Sequence, residues 1–441
     1  MPFLRRETPR VRRVGESTEV ESQSALPGAR TALFLLVVVY SINFVDRQIL
    51  SVLIEPIKAD LGLSDTQLGL LTGFAFAIFY ATLGVPIGRL ADRVNRVNII
   101  AGAAALWSVM TALSGLAQNF WQLAAARVGV GVGEAGCTPP AHSMIADLFP
   151  AGRRASAMSI YQLGVPIGSV VGLMAGGWIN EIWGWRVAFM AVGLPGLLVA
   201  LVLKWVIQDP PRGRSEEAAP HDPSVGFGEA LALIWKIRSF RNISYGMGLA
   251  GLGAYGVMTW FPAFLMRTYE IGSGEAASWL GPLGLLGGVS GTLLGGFLTD
   301  RLSRRDRRWY TWLPSLALVL GLPALAWILL TEHFAVVIAL LVLPNLFGSV
   351  HTGPSFAMVQ SLAPVRVRAM ASAIILLVTN LIGLGLGPLV IGALSEWLEP
   401  FYGVRSLGYA MLVVIPLNLW AASHYWLASR SLRSELDADK A

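Results

Sequence analysis

Four ionisable residues fall inside apolar stretches of this 441-residue chain: Asp46 and Arg47, which are adjacent, and Arg127 and Glu134, which are seven apart. A charge held at mid-bilayer costs at least about 2.5 kcal/mol, so each one calls for a reason. Asp46 and Arg47 stand in Tyr40-Ser-Ile-Asn-Phe-Val-Asp46-Arg47-Gln48. Neighbouring residues point about 100° apart on a helix, so the two cannot form one flat stripe, yet both can face the interior of a bundle. A buried carboxylate beside a guanidinium can pass between charged and neutral forms as its partner moves. That makes Asp46 the best proton carrier in the sequence; the alternative is a static ion pair that ties helices together.

Arg127 and Glu134 lie almost on one helical face, two turns apart. Gly129, Gly131 and Gly133 thin the helix between them, so that a ligand or another helix can come close. Arg127 is a permanent cation matched to phosphate or carboxylate. Glu134 can pair with it, with Arg47, or with a substrate amine. The plainer reading is polar glue between helices. His142 and His351 read as packing residues with one hydrogen bond each rather than proton relays, and Cys137 as a small packed residue. The second half of the chain has no comparable acid–base set. Its Tyr255, Trp260 and Phe356 suit an apolar wall or a lipid-facing surface, and Pro262, Pro282, Pro344 and Pro354 suit bendable helices. Charge on one side and apolar surface on the other suggest an amphiphilic ligand, its head toward the first half and its chain toward the second.

The elements that hold these residues follow from composition. The chain is 54% apolar and 14% charged, against roughly 25% charge in ordinary globular domains. A bilayer is the solvent that tolerates this balance. Hydropathy and breaks at charge, Pro and Gly give an all-α polytopic membrane protein with twelve transmembrane helices, near 30–54, 67–90, 97–117, 121–147, 157–180, 185–207, 241–266, 275–299, 309–331, 334–361, 369–396 and 405–428. The expected organisation is a disordered tail over 1–29, a six-helix bundle over 30–207, a polar linker over 208–240, a second six-helix bundle over 241–428, and a tail over 429–441. Of 33 lysines and arginines, 27 fall in the tails and in alternate connections, while the opposite connections hold only Lys58, Arg186, Arg267 and Arg405. This asymmetry places both termini in the cytoplasm and makes the net charge of +6 a topology signal, with no nucleic-acid partner.

The two halves repeat a motif. Gly88-Arg-Leu-Ala-Asp92-Arg93-Val-Asn-Arg96 closes the second span and Gly296-Phe-Leu-Thr-Asp300-Arg301-Leu-Ser-Arg304 the eighth. A second pair, around Pro150 to Arg154 and Pro364 to Arg368, precedes spans five and eleven. Matching places in same-orientation halves imply a parallel repeat about an axis along the membrane normal. Gly88 and Gly296 are expected to let helices approach closely. The Gly-x-Leu-x-Asp-Arg loop resembles the signature of the major facilitator superfamily over residues 30–428, although Asn95 replaces the usual glycine. The resemblance implies two pseudo-symmetric bundles that rock about a central site. It also implies a cytoplasmic latch in which Asp92, with Arg93, meets the start of span eleven near Arg368. By pseudo-symmetry Asp300, with Arg301, meets the start of span five near Arg154.

Asn43-Phe-Val-Asp46-Arg47 together with Arg127-Val-Gly-Val-Gly-Val-Gly-Glu134-Ala resembles the spinster branch of that superfamily, in its bacterial form. The likeness implies Asp46, with Glu134, as the proton-coupling acids, and Arg47, Arg127 and Glu134 as substrate contacts. It implies a proton-coupled carrier of a sphingosine-1-phosphate or lysophospholipid type of amphiphile. A small organic anion, a sugar acid, a uniporter, or a membrane sensor without net transport remain alternatives. No Gly-x-x-x-x-Gly-Lys-Ser/Thr, His-Glu-x-x-His or Gly-x-Ser-x-Gly string occurs, so a nucleotide-driven pump and an enzyme are disfavoured. No cofactor and no metal are expected. The expected partners are the bilayer, an amphiphilic or anionic substrate and protons, for a monomer in a bacterial inner membrane.

Overall fold

A computed structural model describes residues 25–91, 93–212, 227–364 and 367–438. Asp92 lies outside the described residues, as do most of the first tail and much of the linker. Every regular element among the described residues is helical. The first part of the chain runs α1 (Ala29–Val52), α2 (Ile54–Leu61), α3 (Asp65–Gly69), a π-helical turn (Leu70–Phe74), α4 (Ala75–Ala91), α5 (Arg96–Ser114), α6 (Phe120–Glu134), α7 (Thr138–Leu148), α8 (Ala151–Gln162), α9 (Gly164–Trp183) and α10 (Trp185–Val206). The second part runs α11 (Phe227–Trp235), α12 (Arg238–Tyr269), α13 (Ser273–Ser303), α14 (Trp309–Leu320), α15 (Leu322–Leu330), α16 (Phe334–Leu340), α17 (Val342–Ser349), α18 (Thr352–Leu362), α19 (Arg368–Val378), a π-helical stretch (Thr379–Leu386), α20 (Gly387–Tyr402), a 3-10 turn (Gly403–Arg405), α21 (Ser406–Met411) and α22 (Val414–Ala438).

Among the described residues, ten helical stretches are long and apolar enough to cross a membrane. One of them, Met370–Leu436, is 67 residues long, whereas one crossing needs roughly 20. A further apolar stretch, residues 120–148, is not among the ten, because turns at Ala135–Cys137 divide it into α6 and α7. Local chemistry sets several ends. Ser64 and Gln67 form a reciprocal capping box at α3. Asn119 caps α6 and the Glu435 carboxylate accepts from the Arg238 and Ser239 amides at the start of α12 (2.8 and 3.0 Å). Asn95, the departure from the family motif, has a local purpose: its side-chain oxygen caps α5 by accepting from the Asn98 amide at 3.0 Å.

Three apolar clusters organise the packing. One lies in the first part, around Leu36, Trp107, Met144 and Tyr161. One lies in the second, around Phe240, Ile243, Val359 and Tyr425. The third joins both parts at one end, with Leu53, Ile57 and Leu68 against Trp260, Phe264, Ala277 and Leu407. Glycines allow the close approach there. A Cβ on Gly73 would stand 2.6 Å from the Gly385 carbonyl oxygen, and one on Gly177 would stand 2.5 Å from that of Ser273. The motif glycines do not serve in this way. A Cβ on Gly88 would make an ordinary 3.7 Å contact with Pro139, and Gly296 faces open space, as does Gly84. The two parts meet at the Arg267 end.

The repeated motif has two different fates. In the first copy Arg96 is 1% exposed. It donates from Nη1 to Asp147 (2.5 Å) and from Nε to Asp209 (2.7 Å), and also binds the Pro210 carbonyl (2.7 Å). Arg304, its counterpart, is exposed. Removing one partner of a buried ion pair costs about 3–5 kcal/mol, while a surface change costs under about 0.5 kcal/mol. Arg96→Met is therefore expected to lower the thermal unfolding midpoint in detergent by many degrees and Arg304→Met to leave it in place. Equal shifts in the two variants would show that Arg96 is no clamp.

Candidate functional site

Helix α1 delivers Asn43, Phe44, Asp46, Arg47 and Gln48 to the middle of the molecule, and α6 delivers Arg127 and Glu134. The two partners expected to sit side by side do not pair. Arg47 instead crosses to α6 and donates from Nε to Glu134 Oε2 at 2.5 Å. Its guanidinium also lies over three rings, 4.5 Å from the Tyr80 centroid and 4.9 Å from those of Phe44 and Phe76. Such an aromatic cage stabilises a cation by electrostatic attraction to the ring faces.

Asp46 is 0% exposed and neither of its oxygens has a hydrogen-bond partner. Glu134, Arg127 and Thr111 are its polar neighbours. Arg127 is 2% exposed and leaves Nε and Nη1 without partners; Glu134 leaves Oε1 without one. The four charged groups thus share one close ion pair, Arg47 to Glu134, and several unfilled bonding positions. Buried polar atoms are nearly always satisfied in folded proteins, so unfilled positions of this kind mark a place where something else binds or moves.

A small cavity of about 50 Å³ adjoins this cluster. From the first part it is lined by Arg47, Gln48, Phe76 and Arg127, and from the second by Tyr255, Met258, Thr259 and Leu384. One wall therefore carries two guanidiniums and the other carries no charge. Tyr255 takes the wall position expected of it, but Trp260 and Phe356 do not. Trp260 is fully buried and donates its indole N–H to the Pro388 carbonyl at 2.8 Å. Phe356 packs on the apolar cluster of the second part. His142 meets the Tyr161 ring edge-on at 5.5 Å and His351 the Tyr425 ring at 6.2 Å. The glycines of α6 admit helices rather than a ligand: a Cβ on Gly131 would stand 2.8 Å from the Phe76 carbonyl oxygen, and one on Gly133 the same distance from the Trp107 nitrogen.

Of the residues expected at the linker end, Asp300 and Arg154 form no ion pair with each other among the described residues. Asp300 and Arg301 are exposed, and the hydrogen bond given to Asp300 is a long one from Tyr310, 3.5 Å. Arg93 is exposed as well. Arg154 is half-buried and leaves Nε without a partner. Arg368 opens α19, but its side chain, like Asp92, lies outside the described residues.

The opposite end holds a cluster that the sequence reading missed. Arg267 of α12 donates from Nη1 and Nη2 to the two oxygens of Asp65, each at 2.7 Å, and from Nε to Glu55 at 2.7 Å. Lys58 and the Ser395 hydroxyl also bind Asp65, each at 2.7 Å. The Thr66 amide donates to Glu396 at 3.1 Å, Asn180 to Ser273 at 2.9 Å, and the Gly274 amide to Glu181 at 2.8 Å. All of these except Lys58–Asp65 join one part of the chain to the other. Of the remaining cations expected on this side, Arg186 pairs with Asp60 and Arg405 with Glu332. The available signal was Glu55, Asp60 and Asp65 falling in the same connection as Lys58.

The fold and this central cavity between two parts define a membrane transporter. The model of the Major Facilitator Superfamily matches residues 36–388, and the chain belongs to that family. It is 37% identical over 409 residues to an MFS-type efflux pump of Mycolicibacterium smegmatis, covering 92% of this chain and 94% of the pump. It is 32% identical to human protein spinster homolog 1 over 258 residues, covering 56% of this chain and about half (48%) of the human protein. Among solved structures it is similar to a bacterial homolog of the human lysosomal transporter spinster, in an inward-facing and unoccupied conformation. That likeness has a TM-score of 0.84 and 32% identity, and covers 93% of this chain and 99% of the other.

Buried Cys137 gives a simple background for a test of the Arg267 end. With Cys137→Ser and a cysteine in place of Thr259 in the cavity wall, an impermeant maleimide is expected to label the wild-type seal from the linker side only. Adding Asp65→Ala is expected to open labelling from the Arg267 side. Unchanged one-sided labelling would mean that the apolar cluster alone keeps that end shut.

Proposed function

We propose that the chain is a proton-coupled secondary transporter that moves a lysolipid-like amphiphile by rocker-switch alternating access. The observation that carries this reading is the cavity itself, with Arg47 and Arg127 on one wall and Tyr255, Met258 and Leu384 on the other. A phosphate or carboxylate head finds two guanidiniums, and an acyl chain finds the apolar wall. The names of the similar proteins, a spinster homolog and a lysosomal transporter's homolog, favour the same class. A small organic anion or sugar acid would use the arginines and leave the apolar wall idle. A uniporter would give Asp46 no task, and a sensor would not need a site between two moving parts.

In this reading Asp46 carries the proton. It is fully buried and its oxygens hold no hydrogen bond, so protonation breaks none, while an unpaired buried charge is costly. Glu134 communicates with it through Arg47 and Arg127: an anionic head that draws Arg47 away frees a carboxylate for a second proton. The chain crosses the bilayer twelve times if residues 120–148 form one crossing and Met370–Leu436 divides at the turn Gly403–Arg405. The bundles are 30–207 and 241–428, joined by a linker over 208–240, with tails over 1–29 and 429–441. The termini and linker are cytoplasmic, in a monomer of the bacterial inner membrane. The Asp65–Arg267 cluster is then the outer gate, closed here. Asp92 with Arg368 and Asp300 with Arg154 are the inner latch, which the exposure of Asp300 leaves open. The chain has no catalytic task in this reading.

The test is reconstitution in liposomes that hold a pH-sensitive dye, with an imposed proton gradient and a panel of single-chain phospholipids and organic anions. One ligand class is expected to drive proton movement in wild type and not in Asp46→Asn, and Arg127→Ala is expected to weaken binding of that ligand at least about tenfold, the worth of one charge-assisted contact. Equal ligand flux in wild type and Asp46→Asn, with no proton signal, would make Asp46 a structural group and the protein a uniporter. A response to small anions but not to single-chain lipids would overturn the amphiphile.

A further inference from the structure

Arg301 stands in the last turn of α13, the loop between α13 and α14 carries Arg304, Arg305, Arg307 and Arg308, and Arg433 of α22 joins it by an ion pair to Asp306 at 2.6 Å. Six arginines there face two aspartates, Asp300 and Asp306. Partial burial works against ionisation of Asp306, yet the Arg308 amide and the Arg433 guanidinium hold its carboxyl below the usual carboxylate range. Asp306 is therefore already committed. Among the described residues no ion pair engages Arg301, Arg304, Arg305 or Arg307, and Arg304, Arg305 and Arg307 are exposed.

The repeat explains why they are free. In the first copy Arg96 is absorbed by Asp147, three residues before Pro150. The residue three before Pro364 in the second copy is Ser361, whose hydroxyl is spent on the Ala357 carbonyl at 2.8 Å. The same motif position thus holds a buried clamp in one half and an uncommitted cation in the other. Beside these cations stands a platform of indoles. Trp312 stacks on Trp426 (6.0 Å between centroids) and meets Trp309 edge-on (5.6 Å), and the Arg308 guanidinium lies 5.8 Å from the Trp312 centroid. Trp426 is half exposed, and Arg308 Nε and Trp312 Nε1 lack hydrogen-bond partners.

We propose that this loop and its indole platform bind the headgroup of an anionic phospholipid from the adjoining leaflet, a site apart from the transport cavity. The loop's depth favours a lipid over a soluble anion. It joins the candidate spans Ser273–Ser303 and Trp309–Leu330, so its arginines sit where phosphates of the leaflet sit. Tryptophan rings settle at the same level, and a cluster of basic residues just outside a span attracts anionic lipid. The arginines contact the phosphate and the indoles hold the glycerol and upper chain.

The full-length chain in detergent would be titrated with phosphatidylglycerol or phosphatidylcholine, with adducts resolved by native mass spectrometry and unfolding midpoints recorded. Wild type is expected to prefer phosphatidylglycerol, with a preference that weakens as salt rises. Arg304→Gln, Arg305→Gln and Arg307→Gln combined are expected to lose it, roughly five-fold per arginine, the effect of one basic residue near an anionic surface. Arg89→Gln with Arg153→Gln, exposed arginines of the first part, is expected to keep it. Circular dichroism of each variant checks the fold. An unchanged preference in the triple variant, or an equal loss in the Arg89/Arg153 variant, would reduce the loop to a topology signal. Displacement of the lipid by equimolar inorganic phosphate would make it a free-anion site and overturn the lipid assignment.

Discussion

Two acids and two cations held in apolar surroundings, with one close ion pair among them, are the constraint on which the rest of this structure turns. Arg47 and Glu134 meet at 2.5 Å, and Asp46 and Arg127 keep unfilled positions. A fully connected polar network inside a low-dielectric medium is rigid, and a partly connected one is costly. The cost is tolerable only if another species completes the network. In the proposed function that species is the ligand or the proton, and the surrounding helices invest rings in the cluster to hold its cation. The rings of Phe44 and Phe76 hold the Arg47 guanidinium without consuming its hydrogen-bond donors. A carboxylate in their place would have used those donors and left nothing to offer a ligand. The side chain of Arg47 is 17% exposed while that of Glu134 is closed off, so the cation is the member that a molecule in the cavity meets first.

The division of labour between the two parts of the chain follows from this placement. The charges come from α1 and α6, and the facing wall from α12 and the π-helical stretch after α19. A wall without fixed charges can slide past a ligand with no desolvation penalty of its own. The π-helical turns after α3 and α19 meet each other across the interface, where Gly73 lies against the Leu384 and Gly385 carbonyls. Such turns leave backbone groups off the regular ladder and are frequent at functional sites. They place the two parts in contact at mid-depth without a side chain between them, which is where a pivot would need the least bulk.

Much of this organisation was legible in the sequence. Apolar length gave the helices, because a span needs no tertiary context to declare itself: α1, α5 and α10 begin and end within a few residues of where hydropathy put them. The mid-span charges were legible for the same reason, as exceptions in a uniform background. Pairing was not. Arg47 sits beside Asp46 in the chain and bonds Glu134, 87 positions away, because helix geometry separates neighbours and brings distant turns together. The Arg267–Asp65 contact, 202 positions apart, was hidden by the same effect. The break at Cys137 and the π-helical turns leave hydropathy unchanged, so no periodicity could report them. Gly88 and Gly296 misled because small size was read as close packing, whereas the tight glycines are Gly73 and Gly177, at positions without a motif.

In the proposed transport cycle the Arg267 end is a gate that must both seal and open. The pair with Asp65 is bidentate and supported by Glu55, Lys58 and Ser395. Its net attraction is nonetheless small, since each buried ion loses hydration that the Coulomb term only partly restores. When the parts separate, water rehydrates the carboxylates and guanidinium and recovers that loss. The ion pairs therefore fix the register of the closed state more than its depth. The attraction comes from the apolar cluster of Leu53, Leu68, Trp260 and Phe264, and from the backbone contacts at Gly177 and Ser273. That surface has no directional bonds and can be traded for the opposite closure, in which the linker ends meet. A gate held mainly by ion pairs would be rigid and slow to release in an apolar medium; one held mainly by apolar surface would close in many registers. The combination gives a single closed geometry whose opening is repaid by solvent, which is the energetic condition for two conformations of similar stability.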